Sequence, residues 1–158
     1  MDIQLVRIDD RLIHGQVILG WAQHLKTKRI ILCDDVIASS DWEKELYLSM
    51  VPPDIEGLIL NVEQLVEYIR KHGTDLSQTI LLVNSPKTIE RIIDSGIPLE
   101  RVNVGGIHFR PGRKKLLNYL YLDDEEVQAF KRCIEKGVRF ECQDVPVYKS
   151  SSLEKLLQ

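Results

Sequence analysis

Residues 6–17 read VRIDDRLIHGQV and place Arg7, Asp9, Asp10, Arg11 and His14 between an apolar run and the apolar positions of a helix. The four charges cancel, so the stretch is not a solubility patch of one sign. A histidine in such a joint can act as a base, a metal ligand or a nucleophile. Arg7 and Arg11 offer planar donors suited to phosphate. Asp9 and Asp10 are carboxylates able to accept a hydrogen bond from one imidazole nitrogen and leave the other as nucleophile. A helix starting at Gly15, Gln16 and Val17 would present unpaired backbone N–H groups that favour an anion. Nucleophile, orienter and anion cradle thus fall within ten residues, the combination that phosphoryl transfer onto His14 needs. The same spacing also fits an imidazole that caps a helix or fills a buried hydrogen bond, and spacing alone does not choose.

The other polar joints carry weaker signals. Gly105 and Gly106 would let a backbone approach phosphate, or would simply make a tight turn. His108 is a rival histidine with Arg110 and Arg113 beside it. Asp35 is a supporting carboxylate or a helix-initiating acid. Ser85, in Asn84-Ser85-Pro86, is a candidate phosphate support at a helix start. His24 and His72 lie in or at the ends of helices among lysines and read as surface residues. Four scattered histidines without paired ligand spacing give no metal site, and no cofactor is expected.

These joints need a scaffold, and the hydrophobic pattern supplies one. Strand-like runs occupy 3–8, 29–33, 57–62, 79–84, 101–105, a stretch near 116–122, and 138–143. Helical faces lie between them: Val17, Ile18, Trp21, Ala22 and Leu25; Trp42, Leu46 and Met50 behind Ser40 and Glu43; Leu65, Val66 and Ile69 after Asn61; Ile89, Ile92 and Ile93 between Pro86 and Gly96. Asp123 and Glu126 open a fifth helix that ends at Gly137, and Ser151 with Glu154 suggests a short terminal one. Continuously apolar strands alternating with single helices predict an open α/β fold. It has a mostly parallel, twisted sheet of about seven strands, helices on both faces, and an antiparallel strand, the 116–122 run, near one edge. Such sheets bind ligands outside the carboxyl ends of their strands. The joints at 9–15, 34–35, 84–86 and 104–112 would gather there. Residues 1–158 read as one domain.

Composition limits the partners. A net charge of −3 without a basic block argues against nucleic acid. Cys33, Cys133 and Cys142 lack metal spacing; Cys33 and Cys142, in strand-like runs, read as small core residues, and a reducing compartment fits. The N-terminus has no signal-peptide anatomy, and no apolar run is long enough to cross a bilayer, so a cytoplasmic protein is expected, with any membrane role exercised through a partner.

The segment RIDDRLIHGQV (7–17) resembles the signature around the phosphorylated histidine of the IIB component in the mannose/fructose/sorbose family of the bacterial phosphotransferase system. NVGGIHFRPGRKKL (103–116) is similar to that family's glycine-rich block, and GVRFECQDVPV (137–147) resembles its last strand and tail. The resemblance implies an enzyme, a protein-phosphohistidine–sugar phosphotransferase. His14 would accept a phosphoryl group from a phosphorylated IIA protein or domain, and the group would pass to a sugar entering through the IIC and IID membrane proteins. It implies Asp10 and Arg11 as supporting charges, a donor on a separate chain or domain, and a place at the inner face of the membrane. On the chemistry of the motif, Arg11 helped by Arg7 would shield the phosphate, while Asp10 would hold the ring or Arg11. The rival readings are a hydrolase using His14 and a module binding a sugar phosphate or nucleotide at the same rim.

Overall fold

The computed structural model describes residues 2–13, 16–72 and 75–158. His14 and Gly15 lie outside the described residues. The chain runs β1 (Leu5–Ile8), α1 (Gln16–Leu25), β2 (Arg29–Cys33), α2 (Asp35–Ala38), α3 (Asp41–Leu48), β3 (Glu56–Leu60), α4 (Val62–His72), β4 (Thr79–Val83) and α5 (Pro86–Asp94). It continues through β5 (Arg101–Val104), β6 (Lys114–Leu117), β7 (Leu120–Leu122), α6 (Asp124–Glu135), β8 (Arg139–Cys142), β9 (Ser151–Ser152) and α7 (Leu153–Leu156).

Seven strands form one sheet in the order β3-β2-β4-β1-β5-β8-β9. All neighbours are parallel except β8 and β9. The alternation within strands explains the two helix layers. Ile31 and Cys33 of β2 face a core built with α4, α5, α6 and α7. Ile30 and Leu32 face the opposite core, where Ile18, Trp21 and Ala22 of α1 and Ile37 of α2 pack. β4 is buried along its whole length, as a central strand covered on both sides must be.

Local chemistry sets the helix ends. Asp123 and Glu126 form a reciprocal capping box that opens α6. Asn61 and Gln64 make the equivalent exchange at the start of α4. Gly96 and Gly137 take φ of 94° and 98° where α5 and α6 stop, a conformation that costs glycine little. Trp42 and Leu46 of α3, by contrast, are exposed, and α3 buries none of its side chains.

The stretch 116–122 departs from expectation. It is not an edge strand of the main sheet. The chain reverses at Asn118 and Tyr119, so β6 and β7 form a separate antiparallel hairpin. The antiparallel edge place goes instead to β9, paired with β8. The hairpin is tied to the loop after β5 through Ile107, whose N–H donates to Tyr119 O and whose carbonyl accepts from Tyr121 N. That tie fixes the loop carrying Gly105, Gly106 and His108. β1 lies between β4 and β5, and the connections from it and to β5 leave in opposite directions. Its carboxyl end is therefore the switch point where this architecture places ligands.

Candidate functional site

The joint after β1 is bonded to its neighbours on both sides. Asp9 N donates to Val83 O at the end of β4, Gly105 N donates to Ile8 O, and Asp10 N donates to Gly106 O. The turn then closes on itself: Arg11 N donates to the Asp9 carboxylate at 3.1 Å, and Leu12 N to Asp9 O. Leu12 sits at φ 52°, an unfavourable region for a branched residue, while its side chain and that of Ile13 are buried in the α1-side core. Two apolar anchors therefore hold the chain as it approaches residue 14.

Arg7, Asp9, Arg11 and Asp144 form one charged network. Arg7 is fully buried. One of its Nη groups donates to the Asn103 side chain and to Gln143 O, and the other to Asp9 Oδ2 at 3.0 Å and Asp144 O at 2.9 Å. Its guanidinium lies 5.0 Å from the centre of the Trp21 ring, and the Trp21 indole N–H also donates to Asp144 O. Arg7 thus braces the joint from inside and is not at the rim. The expected shielding of phosphate by Arg7 is corrected on this geometry, because both Nη groups are already occupied by protein acceptors.

Arg11 is the half-buried outer end of the network. Its Nε and Nη2 donate to the two Asp9 oxygens at 2.9 and 2.7 Å, and Nη2 also reaches Asp144 at 2.8 Å. The Asp9 hydrogen bonds push Arg11 above the ordinary arginine range. Burial alone would raise Asp9, but the Arg11 hydrogen bonds and the charges of Arg7 and Arg11 outweigh it and hold the carboxyl below the usual range. Among the described residues no group accepts from Arg11 Nη1.

Asp10 has another task. It does not hold Arg11, which belongs to Asp9. Its Oδ2 accepts from the His108 backbone N–H at 2.9 Å and meets His108 Nδ1. Gly105 and Gly106 are required by neighbouring protein groups. A Cβ at 105 would overlap the Arg7 guanidinium and the Asp9 carboxylate, and one at 106 would lie 3.0 Å from Arg11 Nε. Gln16, the first residue of α1, is exposed. Asp35 opens α2, accepts from Val62 N and pairs with Arg91 at 2.7 Å. Ser85 precedes Pro86 at the start of α5 and makes no side-chain cap. Asp35 and Ser85 therefore serve helix ends beyond β4.

Sequence reasoning passed over Asp144, Asn103 and Gln143. The usable signal was present: the rule that strand ends form the rim applies equally to the joint after β8, where Asp144 stands.

The family model for the sorbose-subfamily IIB component of the phosphotransferase system matches residues 3–158. The chain belongs to that family. It is 30% identical to the fructose-specific EIIB component of Bacillus subtilis over 158 residues, covering 100% of this chain and 97% of the relative. It is 32% identical to the mannose-specific EIIAB component of Escherichia coli over 92% of this chain, and spans only 45% of that longer protein. The solved IIBSor domain of the sorbose permease from Klebsiella pneumoniae superposes with a TM-score of 0.89 at 29% identity, covering 99% of this chain and 96% of that one. IIB components are phosphotransferases, and the mostly parallel seven-stranded sheet is shared with their solved structures. Among the described residues no helix of this IIB chain is long and apolar enough to cross a membrane.

Proposed function

We propose that residues 1–158 act as a single IIB domain that accepts a phosphoryl group on His14 from a phosphorylated IIA protein or domain. The domain passes that group to a hexose or amino sugar entering through IIC and IID membrane proteins, at the cytoplasmic face of the membrane. The observation that carries the reading is Arg11: a guanidinium held by Asp9 and Asp144, with Nη1 given to no described acceptor, three residues before His14.

Phosphoryl transfer asks the protein chiefly to align donor and acceptor and to neutralise the equatorial oxygens. A guanidinium already held by carboxylates needs no rearrangement at the moment of transfer. Arg11 supplies that charge and Asp9 sets its plane. Arg7 and Asp144 keep Asp9 and Arg11 in place, and Leu12 and Ile13 anchor the backbone that leads into His14. The helix that begins at Gln16 leaves its first backbone N–H groups without intrahelical partners, two residues after His14 in sequence. Gly105 and Gly106 leave room for the Arg7, Asp9 and Arg11 side chains, and Arg7 acts from behind them.

The test is sugar-phosphate formation with phosphoenolpyruvate, the general phosphotransferase proteins, a IIA protein and IIC/IID membranes. Arg11→Ala should still acquire label but pass it on about tenfold or more slowly. Normal onward transfer in that variant would remove the role assigned to Arg11. Release of inorganic phosphate by the isolated chain without any partner would favour a hydrolase instead.

A further inference from the structure

The rim holds a second imidazole that the phosphoryl relay has not used. His108 lies on the loop after β5, and both its backbone N–H and its Nδ1 are directed at one oxygen of Asp10. A carboxylate only accepts, so Nδ1 carries the hydrogen and the ring orientation is set. The clamp is itself anchored: the Asp10 side chain is 12% exposed, and its N–H donates to Gly106 O. The His108 ring is 58% exposed, and among the described residues nothing bonds its Nε2. Gly106 lies against the Arg11 guanidinium, so His108 and Arg11 flank the same few residues of backbone.

Nε2 on the far side of a ring clamped through Nδ1 has two states. It accepts when the ring is neutral and donates when the ring is protonated. The charged neighbours are Asp10 from the joint after β1 and Arg113, which donates to His108 O at 2.8 Å. Arg113 is itself held by Glu126 of α6 through two bonds of 2.9 Å, so its charge is matched before it reaches the ring. Phe109, the next residue, packs edge-on against Tyr121 and limits how far the loop can swing.

Resting on the relay reading above, we propose that protonated His108 is a further contact to the phosphoryl group during transfer, donating from Nε2 beside Nη1 of Arg11. No covalent bond forms at His108. The P–N bond to the donor histidine breaks as the P–N bond to the acceptor forms, and His108 keeps its proton while donating a hydrogen bond to an equatorial oxygen.

The experiment is rapid-quench transfer from phosphorylated IIA to this chain over about pH 5 to 8, the range in which histidines ordinarily change charge. It uses wild type, His108→Gln and Asp10→Asn. Wild type should show a rate that rises as the nucleophile loses its proton and falls again as His108 loses its Nε2 hydrogen. His108→Gln should keep the rising limb, lose the falling one, and run about tenfold slower at the wild-type optimum. Asp10→Asn should retain a weakened falling limb. Superimposable pH profiles for wild type and His108→Gln would overturn this inference and leave the relay standing. A second phosphoryl group on wild type that vanishes in His108→Gln would also overturn it, making His108 an acceptor. If wild type acquires no phosphoryl group from a donor competent on another IIB protein, the relay reading and this inference both fall.

Discussion

Asp9 and Asp10 are adjacent in sequence and do opposite things. Asp9 turns inward, where two arginines close over a carboxylate that is 2% exposed. Asp10 turns toward the loop after β5 and holds a histidine more than half open to water. The first region is a closed network in which both Nη groups of Arg7 and both Asp9 oxygens are matched inside the protein. The second is an open pair with one side free. The difference separates rigidity from contact: the buried set fixes the plane of Arg11, and the open set leaves a ring nitrogen open at the rim.

That contrast is easiest to break from the buried side. Arg7→Met would leave the Asp9 carboxylate buried with one partner fewer and take a donor from the Asn103 side-chain oxygen and the Gln143 and Asp144 carbonyls. The expected loss is about 3–5 kcal/mol in urea unfolding. His108→Gln should cost under about 1 kcal/mol in the same assay, because its partner Asp10 can still accept from the backbone N–H. Equal losses would erase the distinction between the two regions. Gly105→Ala comes next, at about 1–3 kcal/mol, since its methyl group would displace the Arg7–Asp9 pair.

Acid should separate the regions further. The folded Asp9 carboxyl lies below its unfolded value, so its stabilising contribution is complete above the ordinary aspartate pKa of about 3.9 and is lost as pH falls through the lower folded value. Unfolding free energy should therefore drop in that acidic window, and the drop should shrink in Arg7→Met. An unchanged acid limb in that variant would show that Arg7 does not hold Asp9 ionised.

Much of this was legible in the chain. The continuously apolar runs separated by single helices indicated the parallel strands, and Asp123/Glu126, Pro86, Gly96 and Gly137 marked real helix ends. The 116–122 run misled because its apolar residues conceal a reversal at Asn118, which only pairing with Ile107 makes visible. Within the site, Asp10 and Arg11 stand at the rim, but residue type did not distinguish Arg7 from Arg11. Position in the strand decides that: Arg7 lies within β1 under Trp21, whereas Arg11 lies beyond it. Asp144 was hidden for a related reason, since its partner is 133 residues away in sequence.

The central claim is a covalent phosphoryl group on His14, and intact mass tests it most directly. The chain would be incubated with phosphoenolpyruvate, the general phosphotransferase proteins and a mannose-family IIA, beside a His14→Ala variant. One acid-labile phosphoryl group on wild type and none on the variant is the predicted result. No gain on wild type, with the donor shown competent on another IIB protein, or an equal gain on the variant, would contradict it.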